Sequence, residues 1–184
     1  MDNPASLISA EELSALETAA KQNPTDADAQ AKWGGGLCRA GKFTEGVAAL
    51  REAIRMDGTQ PLYRLLLALT LRETGDFETA LQELEGVVRM APDIPEVHYE
   101  LGVTWAILGN AGSAVSSLEE AVRLSPDFAE AQYNLSIVKL LTGDAEGSNR
   151  AQAVLQKLDP AAGAELQEKL NRLTEMINSM PDQA

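Results

Sequence analysis

The chain has 184 residues, with 15 Lys and Arg against 28 Asp and Glu, for a formal charge of −13 at pH 7. That balance excludes nucleic acid as a partner, because phosphate binding needs clustered cations, and it disfavours an anionic membrane surface. Cys38 is the only cysteine, so a disulfide framework is excluded, and no apolar run reaches the roughly 18 residues of a membrane-spanning helix. The first residues, Met-Asp-Asn-Pro, lack the basic region and apolar stretch of a secretory leader. An acidic, cytoplasmic protein with no direct membrane insertion is expected.

In chain order, residues 1–8 read as a flexible tail. A helix follows over 9–22, opened by Ser9 with Glu12 as a capping box and by Ile8 with Leu13 as a hydrophobic staple. From there a step of 34 residues governs the pattern: Gly41, Gly75, Gly109 and Gly143 keep it, as do Pro92, Pro126 and Pro160. Five residues after each of these glycines stands a small side chain: Gly46, Ala80, Ala114 or Ser148. A period of this length marks a solenoid of stacked supersecondary units. The predicted repeats cover 27–60, 61–94, 95–128 and 129–160.

Each repeat reads as two helices. In the third, Val97, Leu101, Gly102 and Trp105 form one apolar face at helical spacing, and Ala114, Leu118, Ala121 and Leu124 form a second. Gly109 ends the first helix, where a glycine takes up the left-handed conformation without a Cβ clash. Gly102 and Ala114 lack bulk, which lets the pair approach closely. In the 9–22 helix, Leu16 and Ala19 keep the register of a second helix, so it is half a repeat closing the front. At the back, a capping helix over 161–178 carries the stripe Leu166, Leu170, Leu173 and Ile177, before a tail over 179–184. Both ends therefore read as capped, the pattern of a complete domain.

The third repeat carries His98, Leu101-Gly102, Trp105, Gly109, Ala114, Leu118, Ala121 and Pro126; the second carries Leu67-Ala68, Leu71, Gly75, Phe77, Ala80, Leu84 and Pro92. With Trp33-Gly34, Gly41, Phe43 and Leu50 in the first, these residues closely resemble the tetratricopeptide repeat family. The fourth, with Leu135-Ser136, Lys139, Gly143 and Pro160, is weaker. The resemblance covers about residues 9 to 160 and implies an all-α fold, a right-handed α-α superhelical solenoid with an N-terminal half-repeat helix and a C-terminal capping helix.

Enzyme chemistry finds no foothold. Gly36-Leu-Cys-Arg-Ala-Gly41-Lys42-Phe43 comes close to a phosphate-binding loop, yet Phe43 stands where magnesium needs Ser or Thr, and the preceding segment reads as helix. His98 is the only histidine, which rules out a His-pair metal site, and its position suits packing within a repeat. Cys38 reads as a packed or silent thiol. Glu119 and Glu120 fall on outward faces as solvated charge. No cofactor and no catalytic residue are expected, and the chain reads as a non-enzyme.

The resemblance also implies where a ligand sits. In this family the first helices of successive repeats line a concave groove, with the second, fifth, ninth, twelfth and thirteenth positions facing it. Counted from Ala27, Pro61, Pro95 and Ala129, the candidates are Arg39; Leu62, Leu65, Leu69 and Arg72; Tyr99, Val103 and Ile107; and Tyr133, Ile137 and Leu141. Ala31 and Gly35 replace the Lys and Asn of members that clamp a partner's C-terminal carboxylate, so that mode is not expected. The expected function is a scaffold or adaptor that binds a peptide or helix of a partner protein, with Arg39 and Arg72 meeting its acidic residues. Self-assembly into a homo-oligomer through the groove is the alternative, and an enzyme or nucleotide binder the remote one. Gly34-Gly35-Gly36 lies inside a predicted helix, which should be locally weak.

Overall fold

The computed structural model describes residues 8–179, which hold ten α-helices and no strand. They are α1 (Ala10–Gln22), α2 (Ala27–Arg39), α3 (Phe43–Met56), α4 (Pro61–Glu73), α5 (Phe77–Met90), α6 (Pro95–Ile107), α7 (Ala111–Leu124), α8 (Ala129–Leu141), α9 (Ala145–Leu158) and α10 (Pro160–Ser179). Two compact units divide the chain, one ending at Pro92 with α1 to α5 and one beginning at Asp93 with α6 to α10. Of the expected tails, 1–7 and 180–184 lie outside the described residues.

The repeat step sets the local structure. First helices have 13 residues and second helices 14, and the pair is joined at a glycine of positive φ: Gly41, Gly75, Gly109 or Gly143, at 74° to 86°. At Gly109 the glycine N–H bonds the Ala106 carbonyl and the Asn110 N–H bonds that of Trp105, at 3.1 and 2.9 Å. That Schellman pattern satisfies carbonyls the ending helix leaves open. The residue after each glycine then opens the second helix. Asp76, Asn110 and Asp144 accept from the backbone N–H three residues on, but Lys42, an ammonium without an acceptor, makes no side-chain cap at α3.

Small residues set how closely the helices of a hairpin approach. A Cβ on Gly102 would lie 2.7 Å from Leu118 Cγ and 3.2 Å from the Ala114 carbonyl, so α6 and α7 meet backbone to side chain there. At the same place in the last hairpin, Ser136 Oγ donates to the Ser148 carbonyl at 2.9 Å, so the buried hydroxyl is satisfied.

In the first unit, Leu50, Ala53, Tyr63, Leu67, Leu71 and Ala80 form the core. The buried Tyr63 hydroxyl donates to Asp28, tying α4 to α2, and Arg64 Nη1 reaches Glu83 of α5 at 2.7 Å. In the second unit, Ala114, Leu118, Leu135, Val138 and Ala151 form one cluster, and Leu155, Leu166 and Leu170 a second under α10. Asp159 alone separates α9 from α10, and its carboxylate accepts from the Ala161 and Ala162 N–H groups at 3.0 Å.

Three expectations change. In α1 it is Ala20 that is buried, and Ala19 is exposed: Ala53, its counterpart 34 residues on, packs between two first helices, while α1 packs on α2. In α10, Leu166 and Leu170 are buried but Ile177 is exposed, with Met176 beside it. The apolar stripe is therefore buried only as far as Leu170, midway along the 20-residue α10. Glu119 is not simply solvated. Its carboxylate lies 2.6 Å from the Lys139 ammonium, which also meets Asp144 at 3.3 Å. Glu120 pairs with Arg123 at 2.7 and 2.8 Å.

Candidate functional site

In the first unit α1, α2 and α4 enclose a cleft of about 360 Å³. Its apolar lining includes Leu16, Ala31, Gly35, Leu66 and Leu69, and its rim carries Glu12, Lys32, Arg39 and Glu73. The three consecutive glycines of α2 explain its shape, since neighbouring helical positions point about 100° apart. A Cβ on Gly34 would meet Leu50 Cγ of α3 at 2.9 Å, and one on Gly36 would meet Leu16 Cδ1 of α1 at 2.7 Å. Both are packing sockets. Gly35 faces the cleft, where its nearest neighbour would be Leu66 Cδ1 at 3.9 Å.

The Glu12 carboxylate pairs with Arg39 at 3.4 Å, while the Ser9 hydroxyl caps the Glu12 N–H at 3.0 Å. Cys38 also lines the cleft, with Thr70 Oγ1 3.2 Å from its sulfur. Burial pushes the thiol above its usual range, and the Thr70 hydroxyl offsets part of that shift. The thiolate that would attack an electrophile is thereby disfavoured.

In the second unit a cleft of about 330 Å³ has Tyr99 and Tyr133 as walls, with Glu130, Asn134 and Asp159 on its polar side. Tyr99 packs on Phe128 with ring centroids 5.0 Å apart and planes tilted by 44°, and its hydroxyl accepts from Asn134 Nδ2 at 3.2 Å. Tyr133 accepts from Lys169 of α10 at 3.0 Å, and the same ammonium sits 5.3 Å from the ring centroid.

Of the residues expected in a groove, Arg39 and Leu69 line the first cleft, and Tyr99 and Tyr133 the second. Leu65 and Arg72 are half-buried on α4, and Val103 half-buried on α6. Tyr133 and Ile137 pack partly against the cluster under α10. Leu62, Ile107 and Leu141 stand out in solvent at 58%, 51% and 56% exposure. Sequence reasoning missed Leu66 and Thr70. Both line the cleft from α4, at the sixth and tenth positions counted from Pro61, outside the five positions that the family turns toward its groove.

His98 is buried in α6, at the packing position expected of it. Gly41 sits in the turn after α2, so the segment before Lys42 is helical as read. Among the described residues no group of three or more His, Cys, Asp or Glu is placed to hold a metal ion. No helix among them is long and apolar enough to cross a membrane.

Comparison with known proteins gives the same picture. No curated protein matches the chain in sequence. Among solved structures, MamA 41-end from Desulfovibrio magneticus RS-1 is 18% identical with a TM-score of 0.76, over 82% of this chain and 85% of that one. Another MamA crystal structure matches at 16% identity and a TM-score of 0.71, over 88% and 90%. YrrB, described as a TPR protein with an unusual peptide-binding site, matches at 17% identity and 0.73, over 86% and 82%. At these identities the likeness is one of fold: an all-α tetratricopeptide solenoid. Residues 36–93 and 65–127, together half of the chain, match the family described as Tetratricopeptide repeat. The chain belongs to the tetratricopeptide repeat family, whose helical hairpins serve as protein–protein interaction scaffolds.

Proposed function

We propose that the protein is a non-catalytic adaptor that binds a segment of a partner protein along the first helices of its repeats. One observation carries this reading. In the second unit Ile107 of α6 and Leu141 of α8, one repeat step apart, are large apolar residues left exposed, at positions that the family turns toward its groove. Exposed aliphatic side chains at the same position of successive repeats are a feature of interaction surfaces. The peptide-binding site named for YrrB supports the same use of the fold. A cytoplasmic setting belongs to this reading and rests on the sequence.

The test is affinity purification from source cells, with mass spectrometry, of wild type and of the double variant Ile107→Ser, Leu141→Ser. These side chains are solvent-facing, so helicity by circular dichroism should be unchanged while the partner is lost. A partner retained by the folded variant would count against the reading. Self-assembly is the second reading, favoured by Met176 and Ile177, two large apolar residues exposed near the end of α10. Light scattering decides it: a monomeric mass at all concentrations removes it.

A further inference from the structure

Three of the four first helices carry a large side chain at the ninth position: Leu69 in α4, Val103 in α6 and Ile137 in α8. At the fifth they place Leu65, Tyr99 and Tyr133. In α2 these positions are Ala31 and Gly35. Ala31 is buried in the core, so its smallness serves packing. Gly35 has no such reason, because a Cβ there would meet one atom, Leu66 Cδ1, at ordinary contact distance. A glycine inside a helix costs about 1 kcal/mol relative to alanine, and nothing in the fold repays it at this position.

We infer that the place left by the absent side chain at Gly35 is a socket for one aliphatic side chain of the partner. This rests on the groove reading above and gives it a chemistry. Leu16, Leu66 and Leu69 wall the cleft, so the group that fills it is apolar. The rim adds direction. Lys32 stands at one end of the α2 lining, while Glu73 and the Glu12–Arg39 pair stand at the other. Lys32 and Arg39 are seven residues apart, about 10 Å along a helix. An extended segment covers that distance in about three residues. The occupant is therefore a short protein segment in which an aliphatic residue lies between an acidic one, facing Lys32, and a basic one, facing Glu73.

The experiment selects binders from a displayed library of random dodecapeptides on wild-type protein. Affinities of the enriched peptides are then measured by fluorescence anisotropy on Gly35→Ala, Gly35→Leu and Leu69→Ser. Gly35→Leu restores the side chain that α4 carries at this position and should fold at least as stably. The expected result is enriched peptides with an aliphatic residue between an acidic and a basic one. They should bind Gly35→Ala within about threefold of wild type and Gly35→Leu at least tenfold more weakly, as the loss of one buried aliphatic anchor implies. Equal loss in both Gly35 variants overturns the socket, because helix stiffness would then be the cause. Unchanged binding to Gly35→Leu with loss on Leu69→Ser overturns the socket and leaves the groove reading standing; no loss on any variant removes both. Self-association of the wild type that Gly35→Leu dissolves also overturns the stated occupant, because a second copy then fills the cleft.

Discussion

Lys139 occupies the place that Leu37, Leu71 and Trp105 hold in the other three repeats, and its ammonium is enclosed by the carboxylates of Glu119 and Asp144. The Glu119 bond, more than the opposing burial, holds its pKa above the ordinary 10.5. A group raised on folding adds stability that is fully present below the unfolded value and lost as pH rises through the folded one. Stability should therefore fall as pH climbs past about 10.5, and Lys139→Leu should remove that part of the fall, as urea titrations from pH 7 to 11 will show. At pH 7 the same variant should change stability by no more than about 1 kcal/mol, because Glu119 and Asp144 are about half exposed and rehydrate while leucine packing offsets the lost pairs. Asp144 behaves oppositely. The Gly147 N–H and then Lys139 hold its carboxyl below the usual range, so its contribution fades in acid. A second residue-scale prediction concerns Lys42, the one opening residue of a second helix that cannot cap. Lys42→Asn, which copies Asn110, should stabilise the protein by about 1 kcal/mol in urea denaturation.

At the scale of elements, α2 is the helix in which local and tertiary demands conflict. Three successive glycines weaken it by about 1 kcal/mol each, two of them repaid where α3 and α1 pack closely. Gly35→Ala should therefore stabilise the fold by about 1 kcal/mol, and Gly34→Ala should destabilise it, since its Cβ also lies 3.1 Å from the Gly46 carbonyl. Native-state hydrogen exchange should show residues 30–40 opening before α6; equal protection would refute the weakness. The four turn glycines, the hairpins they join and the small residues at the crossings were all legible as a 34-residue step, because each answers to its own backbone or to its hairpin partner. The different duties of Gly34, Gly35 and Gly36 were not legible. Adjacent helical positions point to different neighbours, and those neighbours are known only once α1, α3 and α4 are placed. The Glu119–Lys139 pair was hidden likewise: twenty residues separate two charges that no local pattern couples.

On the scale of the whole molecule, stability in a solenoid is close to a sum over repeats and their contacts. The two tryptophans fall one to each compact unit, Trp33 on α2 and Trp105 on α6. Urea unfolding followed by fluorescence in Trp105→Phe and in Trp33→Phe should give different midpoints, the lower one for Trp33, in the unit with the glycine-weakened helix. Coincident midpoints would mean that the chain unfolds as one cooperative body. The lone cysteine adds a practical dividend. Cys38 is the chain's single sulfhydryl and borders the first cleft, so the native protein carries a clock for occupancy without any engineering. Its reaction with an aromatic disulfide reagent, read as released thiolate colour, starts slow because burial disfavours the thiolate, and should slow further when a ligand fills the cleft.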